Sequence, residues 1–293
     1  MNRFDSGEVQ LMLESIVDDL VLSEKEFQQV SDLVYQHCGI NLHEGKKDLV
    51  RARLAKRLRT LKINSFAGYI QYAVNDPTGN EFTMLIDSVS TNLTSFFREN
   101  KHFEYLDNTF YPRLIRRKKE SRRLRIRAWS AGCSSGEEPY TIAITLLDTL
   151  QGQGHWDVKV LATDISTKVL AIAKAGQYDA RRVEPMTPQQ KQKYLVPLRR
   201  NGQVEYEMAR SVRDLILFGH LNLMEDWPIR PPVDFIFCRN VMIYFDKPTQ
   251  QKLVQRFWQL LDDGGLLFTG HSESLTGIEH KFQYVQPTIY SKA

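Results

Sequence analysis

Cysteine is scarce in this chain: Cys38, Cys133 and Cys238 among 293 residues, with no C-x-x-C pair. That argues against a disulfide framework or a structural zinc site and points to a reducing compartment, the cytoplasm. Long apolar runs are missing too. The most apolar stretch, Asp234-Phe-Ile-Phe-Cys-Arg-Asn-Val-Met-Ile-Tyr-Phe245, is interrupted by Arg239 and Asn240, so direct membrane insertion is not expected. The start of the chain carries Glu14, Asp18 and Asp19 among apolar residues rather than the basic start of a signal peptide. No internal repeat or low-complexity tract occurs. Excess charge is slight, a formal +4, but Lys46–Lys62 and Arg113–Arg127 hold much of the positive charge. What remains is ordinary for a globular protein, 42% hydrophobic and 25% charged, and long enough for two domains.

Residues 23–99 read as a helical domain, preceded by an extension over 1–22. Ser23-Glu-Lys-Glu26 forms a capping box before Phe27, Val30 and Val34 at helical spacing. A second helix over Lys46–Leu61 has the apolar stripe Val50, Leu54, Leu58 and Leu61, and a third spans Ser65–Val74 before the turn Asp76-Pro-Thr-Gly79. Residues 100–123 read as helix plus basic linker. From Leu124 to the end, strands and helices alternate, which predicts an α/β domain with a parallel sheet. The expected strands are Leu124–Ser130, Val158–Thr163, Leu215–Phe218, Val233–Cys238 and Gly265–Thr269. The expected helices are Pro139–Leu150, Ser166–Ala175 and Thr249–Leu261, and Phe282–Tyr290 reads as an antiparallel edge strand. Residues 176–212 interrupt the alternation, and Asn201-Gly202 signals a hairpin there. They read as a small inserted β-subdomain.

The most informative segment is Trp129-Ser-Ala-Gly-Cys-Ser-Ser-Gly-Glu-Glu-Pro-Tyr140, between a strand and a helix. Its glycines let a ligand lie against the backbone, yet the spacing fits neither G-x-G-x-x-G nor a P-loop. Glu137 and Glu138 at the helix start disfavour a pyrophosphate and welcome a cationic head. S-adenosylmethionine meets that charge requirement better than NAD or ATP. A plain capping box between Ser135 and Glu138 is the alternative. Two further strand ends carry polar residues where parallel sheets bind ligands: Asp164, suited to ribose hydroxyls, and Asn240. Each could instead cap the helix that follows it.

Five segments in order, Ser90-Thr-Asn-Leu-Thr-Ser-Phe-Phe-Arg-Glu99, Ala131–Tyr140, Ala162-Thr-Asp-Ile165, Phe237-Cys-Arg-Asn-Val-Met-Ile-Tyr-Phe-Asp246 and Gly264-Gly-Leu-Leu-Phe-Thr-Gly-His-Ser-Glu273, closely resemble the CheR family. Its members are chemotaxis receptor methyltransferases, which esterify glutamates of methyl-accepting receptors with S-adenosylmethionine and release S-adenosylhomocysteine. The resemblance implies a Rossmann-like methyltransferase domain over 124–293 with a small antiparallel β-subdomain, behind an all-helical N-terminal domain. It also implies sensory adaptation as the role and no metal. By motif, Asn92, Thr94 and Arg98 approach the cofactor from the linker. Glu138 meets its amino-acid end, Asp164 its ribose, Leu221 and Asn222 its adenine, and Asn240 and Val241 line the pocket. Read without the resemblance, Asn92, Thr94 and Arg98 serve equally well to cap a helix near Thr94.

A glutamate carboxylate, with a pKa of about 4.3, is already ionised at neutral pH, so methyl transfer needs no general base. Arg98 and Tyr244 are the candidates for the substrate side, with Arg98 steadying the attacking carboxylate; Tyr244 could instead simply pack. Lys46, Arg53, Lys56 and Arg57 can lie away from the second helix's apolar stripe, giving a cationic face toward the acidic methylation helices of membrane chemoreceptors. A merely solvated face is the plain alternative. Family members that dock a receptor's C-terminal peptide have a glycine-rich turn in the β-subdomain. Here Pro197-Leu-Arg-Arg-Asn-Gly-Gln203 holds one glycine, which leaves tail docking open. A nucleic-acid methyltransferase is disfavoured because Cys238-Arg-Asn-Val241 is not the Asn/Asp-Pro-Pro-aromatic motif, so no nucleic-acid partner is expected. A non-catalytic cofactor-sensing module is the remaining alternative.

Overall fold

The computed structural model describes residues 20–200 and 202–293. The extension expected over 1–22 therefore lies outside the described residues as far as residue 19. The chain divides into two compact units, the second beginning at Asn92. The boundary thus falls before the segment 92–99, which the sequence reading had placed in the helical domain.

The first unit is helical: Glu24–Cys38, Lys47–Leu61, Phe66–Asn75 and Asn80–Val89. Ser23 caps the first helix, its side chain accepting from the Glu26 N–H while Glu26 reaches back to the Ser23 N–H at 2.9 Å. Gly39, at φ +73°, ends that helix in the left-handed conformation glycine tolerates. Phe27, Val30, Val34, Val50, Leu54, Leu58, Phe66 and Leu85 form the buried interior. The helix Asn80–Val89 follows the Asp76–Gly79 turn and was not read separately.

In the second unit a helical stretch from Lys101 to Glu120, with a π-turn over Leu106–Phe110, leads into the sheet. The strands are β1 (Arg125–Ala131), β2 (Asp157–Asp164), β3 (Gln177–Asp179), β4 (Leu195–Arg200), β5 (Gln203–Met208), β6 (Ile216–His220), β7 (Val233–Cys238), β8 (Leu261–Thr269), β9 (Gln283–Gln286) and β10 (Ile289–Ser291). Seven make one sheet in the order β6-β2-β1-β7-β8-β10-β9, parallel from β6 to β8 and antiparallel beyond. Every residue of β7 is buried, as a central parallel strand covered on both faces requires. The segment expected to be one edge strand is a hairpin, β9 and β10, turning at Pro287-Thr288 with Thr288 at φ +63°. Strands β3, β5 and β4 form the separate antiparallel subdomain, with Arg200 opposite Gln203 across the expected turn. Of that turn, Asn201 lies outside the described residues.

Chain order reverses at β1, whose neighbours are β2 and β7. The loops leaving β1 and β7 therefore diverge at a topological switch point, where open α/β sheets hold ligands.

Candidate active site

The loop after β1 turns at Gly132 (φ +83°) and Gly136 (φ +97°), and the helix Glu137–Thr149 begins directly after it. A Cβ on Gly132 would lie 2.4 Å from Val241 Cγ2. Glycine there lets the β1 and β7 loops close on each other. The alternative, a Ser135–Glu138 capping box, does not form. Gly136 is the N-cap with no side-chain cap, and Ser135 Oγ donates instead to Glu137 at 2.8 Å.

Asp164 ends β2 as a bracket. Its carboxylate accepts the Ser134 N–H at 2.8 Å and the Ser166 N–H at 2.9 Å, and its carbonyl accepts the Leu221 N–H at 3.1 Å. It is not the helix cap; Ser166 caps that helix. Asp164 thus ties the β1 loop to the segment after β6. In that segment Asn222 is 3% exposed and folds its amide over the turn, accepting the Met224 N–H at 3.0 Å and donating to Glu225 at 3.2 Å.

Glu138 is 8% exposed. Ser130 Oγ donates to one of its oxygens and Arg239 Nε to the other, both at 2.7 Å. The Arg239 guanidinium, its side chain 2% exposed, also donates to the Arg98 carbonyl at 2.7 Å and to His102 Nδ1 at 3.1 Å, and lies 3.4 Å from Glu99. It sits over the rings of Phe237 and Phe103 at 5.1 and 5.5 Å. Burial, then the neighbouring guanidinium, depresses His102 to about 3. The ring is therefore neutral, with Nε2 at 2.7 Å from Thr288 Oγ1. Glu99, His102 and His271 lie close enough to hold a cation. Arg239 already supplies positive charge at that spot.

The segment Asn92–Asn100 is gripped by its main chain. The Asn92 carbonyl accepts from Ser134 Oγ at 2.9 Å, and the Phe97 N–H donates to Thr141 Oγ1 at 3.2 Å. Phe97 and Glu99 both sit at φ +55°, a conformation costing such residues about 1–3 kcal/mol. No helix starts at Thr94, which is half-buried in an irregular stretch. The Arg98 side chain turns back to the Leu93 carbonyl at 2.7 Å. Asn240 is likewise left-handed, φ +59°, and caps no helix; the short turn Met242–Tyr244 starts after Val241. Tyr244 is half-buried on that turn.

The structure therefore brings Asn92, Arg98, Glu138, Asp164, Leu221, Asn240 and Val241 into one bonded and packed neighbourhood. Sequence reasoning missed Arg239, Glu273 and Arg256. A basic residue ending an otherwise apolar strand was the signal for Arg239. Arg256 donates to the carbonyls of Leu223 and Glu225 at 2.7 and 2.5 Å and covers the Trp227 ring at 3.7 Å.

The basic helix face is partly engaged within its own unit. Arg53 donates to the Val89 and Ser90 carbonyls at 2.9 and 2.8 Å, capping the helix Asn80–Val89. Arg57 makes a two-pronged pair with buried Glu81 at 2.7 and 2.5 Å. Both guanidiniums are thus committed within the unit. Lys46 is half-buried, while Lys56 is exposed. The basic run 113–127 is also partly paired: Lys118 Nζ lies 2.6 Å from Asp234, and Arg127 pairs with Asp157.

A glycine loop at the switch point, an acid at the end of β2 and acids rather than bare amides at the helix start define an S-adenosylmethionine-dependent methyltransferase. Residues 92–291 match the CheR methyltransferase SAM binding domain, and residues 25–90 match its all-alpha domain. The chain belongs to the CheR methyltransferase family. It is 40% identical over 289 residues to the chemotaxis protein methyltransferase of Escherichia coli K12, covering 97% of this chain and 96% of that one. It is 41% identical over 274 residues to chemotaxis protein methyltransferase 2 of Pseudomonas aeruginosa, covering 92% and 94%. A probable chemotaxis protein methyltransferase of Rhizobium etli is 40% identical over 88% of this chain and 96% of its own length. Among the described residues no helix is long and apolar enough to cross a membrane.

Proposed function

We propose that this chain transfers a methyl group from S-adenosylmethionine to glutamate side chains of methyl-accepting chemoreceptors, giving methyl esters for sensory adaptation in the cytoplasm. The observation that carries the reading is the acid-lined switch point. Asp164, bonded to the Ser134 N–H, and Glu138, bonded to Ser130 and Arg239, flank a loop in which a Cβ on Gly132 would strike Val241. This cradle fits the cofactor. The Asp164 carboxylate suits the ribose hydroxyls as an acceptor, and each Glu138 oxygen keeps one lone pair for an ammonium beyond the single bond it accepts. Asn92, Thr94 and Arg98 approach the cofactor from the linker side, Glu138 meets its amino-acid end, Leu221 and Asn222 its adenine, and Asn240 and Val241 line the pocket.

When bound, S-adenosylmethionine supplies an electrophilic methyl on a sulfonium. The protein's share is alignment and exclusion of water. A glutamate nucleophile arrives ionised, so no base is required, and His102 is no candidate for one, since both its ring nitrogens have partners. Arg98 steadies the incoming carboxylate once its side chain leaves the Leu93 carbonyl, and Tyr244 is the second candidate on the substrate side. Lys46 and Lys56, with whatever field Arg53 and Arg57 retain, steer an acidic receptor helix. Docking of a receptor tail at the β-subdomain remains a separate proposal, to be tested with a tail peptide.

The decisive experiment is label transfer from methyl-tritiated S-adenosylmethionine to chemoreceptor-rich membranes, followed by mild alkali. Volatile methanol from a receptor-sized band is expected. Alkali-stable label, or label on nucleic acid, refutes glutamate esterification.

A further inference from the structure

The turn Gly270–Glu273 has no role in the reading above, yet it is built around a buried carboxylate. Glu273 is 5% exposed. One oxygen accepts the Asn240 N–H at 2.7 Å and the Gly270 N–H at 2.5 Å; the other accepts the Ile243 N–H at 3.1 Å. The Val241 N–H points to it as well. Its own carbonyl accepts from Thr269 Oγ1 at 2.7 Å. A Cβ on Gly270 would come within 2.6 Å of Asn240 Nδ2 and 2.8 Å of Asn240 N and of the Glu273 carboxylate, so β8 and the β7 loop meet without slack.

Amide-to-carboxylate bonds are charge-assisted and stronger than neutral ones. Three of them converge on the loop that holds Asn240 in a left-handed conformation asparagine otherwise seldom adopts. The carboxylate therefore dictates the loop's conformation. We propose that Glu273 is a positioning residue for the cofactor side of the site. It fixes Asn240 and Val241 and, through Ile243, the turn that carries Tyr244. This rests on the assignment of Asn240 and Val241 to the cofactor pocket.

Glutamine at 273 keeps the size but sets an NH2 group where one oxygen accepted. With its oxygen on Asn240 and Gly270, its NH2 faces the Ile243 N–H, two donors meeting without an acceptor. The loop 240–243 must then shift. The test is calorimetric binding of S-adenosylhomocysteine, together with steady-state methyl transfer, for wild type, Glu273→Gln and Gly270→Ala.

The expected result is a tenfold or larger rise in the dissociation constant of S-adenosylhomocysteine and in KM for S-adenosylmethionine, at full binding stoichiometry. A purely structural role gives the opposite split: a smaller active fraction and lower apparent kcat, with dissociation constant and KM unmoved. That split, or a dissociation constant within twofold of wild type, overturns the proposal. Gly270→Ala presses on Asn240 with the carboxylate intact, so it carries the same expectation if Glu273→Gln does not fold. Failure of wild type to bind S-adenosylhomocysteine would instead refute the functional assignment itself.

Discussion

Replacing Arg239 by leucine removes a guanidinium from the centre of the second unit and leaves two buried carboxylates behind. Its side chain is 2% exposed, and those of Glu138 and Glu99 are each 9% exposed. Breaking one half of such a buried network costs about 3–5 kcal/mol, because the remaining charges stay desolvated. For a unit of this size, about 2–4 °C of Tm accompanies each kcal/mol, so Tm should fall by about 6–20 °C. Thermal unfolding followed by circular dichroism measures this. The mechanism makes a second demand: in the Arg239→Leu background, Glu138→Gln should restore about 2 kcal/mol, since it removes the stranded charge. In wild type the same substitution destabilises. Such a sign change is a coupling that double-variant comparison isolates. Arg239→Leu within about 1 kcal/mol of wild type, or additive effects of the two substitutions, would refute the reasoning.

The other expectations concern pH, the first unit and the thiols. His102 has a folded pKa of about 3, below the ordinary 6.5, so burial of the neutral ring contributes stability that is complete above pH 6.5 and lost as pH falls toward 3. Chemical denaturation between pH 7 and 4 should show a slope of up to about 1.4 kcal/mol per pH unit that disappears in His102→Gln. Arg57→Ala strands Glu81 and should destabilise the first unit by about 3 kcal/mol, whereas Lys56→Ala, on an exposed side chain, should change stability by less than about 0.5 kcal/mol; equal effects would contradict the pairing. Cys133 and Cys238 are buried, and burial first, with nearby carboxylates second, pushes both thiols well up. Thiol reagents should label them slowly in the native protein, and more slowly with S-adenosylhomocysteine present. Equal rates with and without the ligand would place them away from the pocket.

Legibility followed the range of the interactions. The first unit's helices and the β1–β2–β6–β7–β8 framework were readable because Ser23 as a cap, apolar runs and Pro248 at a helix start act within a few residues. Asp164 and Asn240 stood out as candidates because polar groups ending apolar strands are conspicuous. Arg239 and Glu273 did not. Arg239 acts through Glu138, about a hundred positions away, and Glu273 grips main-chain amides of Asn240 and Ile243, which leave no trace in residue identity. The basic helix shows the same limit from the other side. Helical spacing puts Arg53 and Arg57 off the apolar stripe, but their partners are carbonyls after Ile86 and a carboxylate at Glu81, in a helix the pattern did not resolve.

The clamp on Asn240 also has a place in time. Nearly the whole second unit separates Asn92 from Glu273, and ribosomes add roughly 5–20 residues per second. At that rate the β1 loop emerges roughly 7–28 s, Asp164 roughly 5–22 s and the β7 loop roughly 2–7 s before the carboxylate that shapes the last of them. Until Glu273 arrives, Asn240 has no reason to hold its left-handed turn. A nascent chain stalled just short of residue 273 should carry β1, β2 and β7 yet lack the shaped β7 loop. Synthesis itself would then act as a timer, withholding that wall of the pocket until residue 273 has been added.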